Sequence, residues 1–177
     1  MVDDLTQALL LGRGDQRISR DPLNLCDVVV AAVNAIRPLV DGRGHALEVV
    51  LQREPMTVNG DPIRLRQVFV NLLADAAWFT DKGGRITIDA RREGAEITVA
   101  VRDTGRGVAP EMVPLLFETY DRKTRSSDPG WGRMGIGLSV ASGLAALHGG
   151  SVTAASDGPE AGSEFTVRLP FVESPQA

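Results

Sequence analysis

Two runs of alternating apolar and polar residues, RITIDARR at 85–92 and AEITVAVRD at 95–103, face each other across Glu93-Gly94. A period of two sends successive side chains to opposite faces, so these runs form an antiparallel hairpin with one buried face. That face needs a covering layer, and the remaining periodic segments must supply it.

They have the right period. Val28, Val29, Ala32, Val33, Ile36, Leu39 and Val40 recur at helical spacing after Asp21-Pro22-Leu23-Asn24-Leu25, which offers a cap and a proline near a helix start. Asp61-Pro62 caps a second helix, whose Ile63, Leu65, Val68, Phe69, Leu72, Leu73, Ala76 and Phe79 form a wide apolar face ending before Asp81-Lys82-Gly83-Gly84. Between them, Ala46 to Gln52 reads as a strand after the turn DGRG, with a short second strand near Met56 to Val58. A third helix is expected from Gly135 to Leu147, closed by His148-Gly149-Gly150, and SVTAAS and EFTVRLP supply the last two strands around SDGPEAGS. This order predicts a two-layer α/β (α+β) sandwich, with a mixed, mainly antiparallel sheet covered on one face by helices.

From Val108 to Met134 the chain turns polar and irregular apart from the block MVPLLF, and RSSDPGWGR concentrates Ser, Asp, Pro and Gly. A loop of that length inside a compact domain is expected to be a lid or binding loop. Residues 3 to 12, DDLTQALLLG, read as the last turns of a helix whose apolar pattern starts almost at the first residue. The tail VESPQA reads as disordered.

Nineteen basic against twenty-three acidic side chains give a net charge of -4, which provides no broad cationic field for nucleic acid or an anionic membrane surface. Cys26 is the sole cysteine, so no disulfide framework exists. No apolar run approaches the roughly 20 residues that span a bilayer, and MVDDLTQALLLGRGD lacks a basic leader and cleavage site. The expectation is a cytoplasmic domain without direct membrane contact.

Two glycine-rich stretches carry chemistry. Asp103-Thr104-Gly105-Arg106-Gly107 places a carboxylate at a strand end, before glycines that permit close approach of a ligand. Alone, an Asp before a glycine turn is first of all a turn former. Gly132-Arg133-Met134-Gly135-Ile136-Gly137-Leu138 leads into a helix and could present free amides to phosphate, or be a flexible loop. It has neither the lysine of a P-loop nor the preceding strand of a dinucleotide fingerprint.

The combination is far more specific. NLLADAAWFTDKGG, DTGRG, LFETYDR and GRMGIGLSVASGLAALHGG, in this order and spacing, resemble the catalytic ATP-binding domain of bacterial sensor histidine kinases, members of the Bergerat-fold ATPase superfamily. The resemblance implies a Bergerat fold, Mg²⁺·ATP as ligand, and a phosphorylated histidine on a dimerisation domain as acceptor. It further implies a response regulator downstream, a monomeric fragment and a homodimeric full-length protein, whose anchoring to an inner membrane stays open. The segment before Leu23 resembles the end of a dimerisation helix and its linker, dividing the chain into 1–22, an ATP-binding domain at 23–171 and a tail at 172–177. By the same resemblance Asp103 accepts a hydrogen bond from the adenine amino group. Gly105 and Gly107 turn the lid over the base, while Gly135 and Gly137 bring the other lid end and the amides of Leu138 and Ser139 to the phosphates. Phe117 resembles a lid phenylalanine, or simply anchors a short helix. Arg122, Lys123, Arg125 and Arg133 are lid cations that pair with phosphate, or are solvated.

Asn71 falls where hydrolytic relatives carry a water-activating glutamate, and an amide cannot take a proton from water. Phosphoryl transfer is thus favoured over hydrolysis. Asp75 stands where the family usually has a second asparagine that holds Mg²⁺, and Trp78 where it usually has a phosphate-reaching cation. Asn71 and Asp75 are expected to hold the metal, with Trp78 and Phe79 as apolar walls. Those two departures favour an alternative, a degenerate nucleotide-binding or interaction module without turnover. Of the two histidines, His45 sits in a turn and His148 at a helix C-terminus suited to an imidazolium. Neither has the setting of a phospho-acceptor, which is expected elsewhere.

Overall fold

The computed structural model describes residues 18–117 and 131–173, without the side chains of 131–135. The elements are β1 (Asp21–Asn24), α1 (Leu25–Gly42), β2 (Ala46–Leu51), β3 (Thr57–Gly60), α2 (Pro62–Phe79), β4 (Arg85–Glu93), β5 (Glu96–Asp103), a 3-10 turn (Val113–Phe117), α3 (Trp131–Leu147), β6 (Ser151–Ala155) and β7 (Ser163–Pro170).

The hairpin forms in the expected register, with Ile88 opposite Val101 and Glu93 opposite Glu96. It is the centre of a five-stranded sheet in the order β2-β4-β5-β7-β6, parallel only between β2 and β4. Ile86, Ile88, Ile97, Val99, Val101, Phe165 and Val167 alternate onto one buried face, against which Phe69, Leu72 and Leu73 of α2 and Leu138 and Leu144 of α3 are buried. The opposite face carries Asp89, Arg91, Arg102, Glu164 and Arg168 in between. Helices α1, α2 and α3 pack in sequence order, α1 on α2 and α2 on α3. The result is the mixed sheet under one helical layer that the periodicities predict.

The local boundaries differ in two places. Asp21–Asn24 also forms a strand: β1 pairs antiparallel with β3 in a separate ribbon, Asp21 opposite Gly60 and Asn24 opposite Thr57. Pro22 is tolerated because a two-stranded ribbon leaves each strand with a free edge. The cap expected from this stretch is its Asn24, whose Oδ1 accepts the N–H of Cys26 at 3.2 Å. At the other end, α3 begins at Trp131 rather than Gly135. For α2 the expected cap is present, with Asp61 Oδ1 accepting from Ile63 N (3.0 Å) and Arg64 N (3.1 Å) ahead of Pro62 in the first turn.

The readings made for residues 1–17, for Arg122, Lys123 and Arg125, and for 174–177 lie outside the described residues, as does the side chain of Arg133. No described helix is long and apolar enough to cross a membrane.

Candidate functional site

Asp103 ends β5 beside Ser163 of β7 and is 9% exposed. Its Oδ1 accepts the N–H of Gly105 at 2.8 Å, which turns the carboxylate back along its own strand end. Burial raises the acid above its ordinary range, opposed by the N–H groups of Gly105 and Ser163.

The turn after Asp103 has no room for side chains. A Cβ on Gly105 would lie 2.4 Å from the carbonyl oxygen of Phe79 and 2.7 Å from Asp103 Oδ1. Gly107 has φ +63°, and a Cβ there would lie 2.0 Å from Gly158 O. The turn is fastened to the end of α2 by Arg106 N to Phe79 O at 3.1 Å. On its other side the β6–β7 loop holds it through Gly162 N to Gly105 O (3.0 Å), Glu160 N to Arg106 O (2.7 Å) and Val108 N to Ser156 Oγ (2.9 Å). Ser156 Oγ also donates to Gly162 O at 2.7 Å. This bracing by Ser156 and Gly162 was missed in the sequence, where SDGPEAGS reads as a plain turn; its one local signal is the glycine pair flanking Pro159-Glu160-Ala161.

Asn71 and Asp75, one helical turn apart, both meet α3. Asn71 Nδ2 donates to Gly137 O at 3.1 Å. A Cβ added to Gly137 would lie 3.6 Å from Asp75 Oδ2 and 3.9 Å from Asn71 Cβ, so the missing side chain keeps a space in front of the Asp75 carboxyl. Asp75 is 8% exposed, and its Oδ2 is buried without a hydrogen-bond partner. Burial raises this acid well above its ordinary range.

Several expected positions come out differently. Leu138 and Ser139 do not offer free helix-start amides: α3 starts at Trp131, and only the first four amides of a helix lack an internal partner. Leu138 is fully buried in the core, and Ser139 Oγ donates to Ile136 O at 3.0 Å. Gly135 lies past those four positions too, and Gly137 acts through its carbonyl and its lack of Cβ. Phe117, at the end of the 3-10 turn, meets Phe165 edge-to-face with centroids 6.5 Å apart, the anchoring alternative. Phe79 packs on the core and supplies the carbonyl that receives the glycine turn, whereas Trp78 is 47% exposed beneath the guanidinium of Arg43. His148 is not an imidazolium: its Nε2 accepts the N–H of Asp61 at 3.0 Å, so the ring is the neutral tautomer whose Nδ1–H donates to Leu144 O at 2.7 Å.

The structure thus brings Asp103, Gly105, Gly107 and Phe79 together at one end of α2, and Asn71, Asp75 and Gly137 together where α2 meets α3. Residues 60–173 match the family described as histidine kinase-, DNA gyrase B-, and HSP90-like ATPase. The chain belongs to this ATPase family. Among relatives of the histidine kinase-, DNA gyrase B-, and HSP90-like ATPases, it is similar to the sensor histidine kinase TrcS of Mycobacterium tuberculosis, at 36% identity over 98% of this chain and 34% of that protein. It is also similar to the signal transduction histidine-protein kinase BaeS of Escherichia coli, at 32% identity over 97% of this chain and 36% of that protein. The chain spans about a third of the length of these two relatives. In structure it resembles full-length ShkA in complex with AMPPNP, with TM-score 0.83 and 25% identity over 99% of this chain and 36% of that one. The histidine kinase AdeS of Acinetobacter baumannii shares the same ATPase-family fold, with TM-score 0.77 and 21% identity over 97% of this chain and 77% of that one.

Proposed function

We propose that this chain is the catalytic ATP-binding domain of a two-component sensor histidine kinase, which transfers the terminal phosphoryl of Mg²⁺·ATP to a histidine on a dimerisation domain. The observation that carries the reading is Asn71: the polar group beside Asp75, at the meeting of α2 and α3, is an amide bonded to Gly137 O. It cannot remove a proton from water, so the site is built to position a phosphoryl group rather than to activate a hydrolytic nucleophile. Asp75 is 8% exposed, which keeps that carboxyl from bulk water too.

Asp103 reads the adenine amino group. Its carboxylate ends a strand, is largely dry, and is aimed by Gly105 N–H, while the lack of a Cβ on Gly105 lets the turn pack directly against Phe79 O and the Asp103 carboxylate. Phe79 gives the apolar boundary. Asn71 and Asp75 fit Mg²⁺, because the partnerless Asp75 Oδ2 is a hard oxygen donor and Asn71 has a carbonyl oxygen besides its engaged amide. An ion held by these two side chains would take its remaining ligands from phosphates and water. When bound, Mg²⁺ supplies charge neutralisation for the phosphoryl oxygens.

The acceptor lies outside this domain's own histidines. His45 is 7% and His148 6% exposed, and both rings are hydrogen-bonded to helix carbonyls. Incubating the full-length protein with Mg²⁺·ATP tests the reading: an acid-labile, alkali-stable phosphoryl group on a histidine other than His45 and His148 is expected. Release of free phosphate with no phosphorylated protein would contradict it.

A further inference from the structure

Arg43 lies in the turn between α1 and β2. Its backbone is held at both ends, with the N–H on Leu39 O (3.2 Å) and Val40 O (3.3 Å) and the carbonyl on Gly83 N at 3.3 Å. From that fixed point the side chain runs across the C-terminal end of α2. Its Nη2 donates to Trp78 O and to Thr80 O, both at 3.3 Å, and its Cζ lies 5.1 Å from the centroid of the Trp78 ring.

The guanidinium is left with open donors. Its Nε is 3.4 Å from His45 Nε2, but that ring nitrogen is 3.0 Å from Ala77 O. One nitrogen cannot donate to a carbonyl and accept from Nε–H at once, and the shorter contact takes the proton. Nε–H and the Nη1 protons therefore lack an acceptor among the described residues. No carboxylate pairs with Arg43 there either, in contrast to Arg106, whose Nε is 3.7 Å from Asp81.

Trp78 follows Asp75 by three residues and Asn71 by seven, so its half-exposed ring continues the stripe that carries both. An uncompensated planar cation thus rests at the end of a stripe that carries the Asp75 carboxyl. A guanidinium with paired open donors matches phosphate oxygens. We propose that Arg43, resting on Trp78, is the cation of this site that contacts the terminal phosphates of the bound nucleotide, brought in from the α1–β2 turn rather than from α2. The inference rests on the nucleotide-binding reading above.

Affinities of the parent and Arg43→Gln for AMP, ADP and ATP in the presence of Mg²⁺ test it. AMP affinity is expected to stay within about twofold, while ATP affinity falls roughly 10- to 100-fold, the scale of lost charge-assisted hydrogen bonds. An equal change for AMP and ATP, or none, would overturn the assignment and reduce Arg43 to a cap for α2. Should Arg43→Gln not fold, Arg43→Lys keeps the charge without the fork: a several-fold loss for ATP with AMP unchanged supports the proposal, and parallel losses overturn it. A parent protein that binds none of the three ligands overturns the nucleotide reading itself, whereas a parent that binds all three with a phosphate-independent Arg43 effect overturns only this inference.

Discussion

His148 Nε2 accepts the backbone N–H of Asp61 at 3.0 Å, so the residue that follows α3 holds the cap of α2. The same ring donates through Nδ1 to Leu144 O, and Gly60 lies so close that a Cβ there would come within 2.7 Å of His148 Cδ2. The two helices that meet at Asn71 and Gly137 are therefore pinned to each other again at the far end of α2.

Replacing His148 by Ala removes a buried acceptor and leaves both a cavity and an unpaired Asp61 N–H. The expected loss is about 2–4 kcal/mol of unfolding free energy, read from urea denaturation. A change under about 0.5 kcal/mol would show that the pin carries no weight.

Gly105→Ala is expected to damage the base site more than the fold's average glycine would. The new methyl must displace Phe79 O or the Asp103 carboxylate, both under 3 Å from its ideal position. ATP affinity should fall at least about tenfold, since either displacement moves the adenine-reading group or its wall. Gly94→Ala is the control, because nothing lies within 4 Å of a Cβ there, although its φ of +64° carries some backbone strain. Equal ATP affinity in parent and Gly105→Ala would contradict the cradle.

The pH dependence of stability follows from Asp75. Burial raises its native pKa well above the ordinary carboxylate range, so the folded state holds the proton more tightly than the unfolded chain. That contribution is complete below the unfolded value and is lost as pH rises through the native one. Asp75→Asn removes the loss. Its melting temperature should exceed the parent's by at least about 2 °C at pH 8, with a much smaller difference at pH 4. A difference independent of pH would mean that Asp75 is solvated in the free protein.

Periodicity carried the sheet and its helical cover. Ile86 to Val101 alternate because one face is buried, and the apolar face of α2 repeats because it lies on that sheet, so both leave a pattern in the sequence. The glycine turn at 103–107 was equally legible, because its chemistry is local. Contacts between distant side chains leave no such trace. The bond from His148 to Asp61 spans 87 residues and that from Arg43 to Trp78 spans 35. Neither partner is marked by spacing, and a histidine at a helix end reads as a dipole contact until its acceptor role is seen. Asp21-Pro22-Leu23-Asn24-Leu25 was legible in part for a related reason: Asn24 caps α1 as the stretch suggests, but the residues before it are claimed by a neighbouring strand, Asn59-Gly60. The start of α3 was misplaced because Gly132 and Gly135 read as breakers, although the helix runs through them.

The central claim is an adenine nucleotide read by Asp103, and titration calorimetry of ATP and GTP into the parent and Asp103→Asn tests it most directly. The parent should bind ATP and discriminate strongly against GTP, which has no amino group at the corresponding ring position. Asp103→Asn should lose about 1–3 kcal/mol of ATP binding, the scale of one charge-assisted hydrogen bond, and most of that discrimination. Equal affinity for ATP and GTP in the parent, or unchanged ATP binding in Asp103→Asn, would contradict the account.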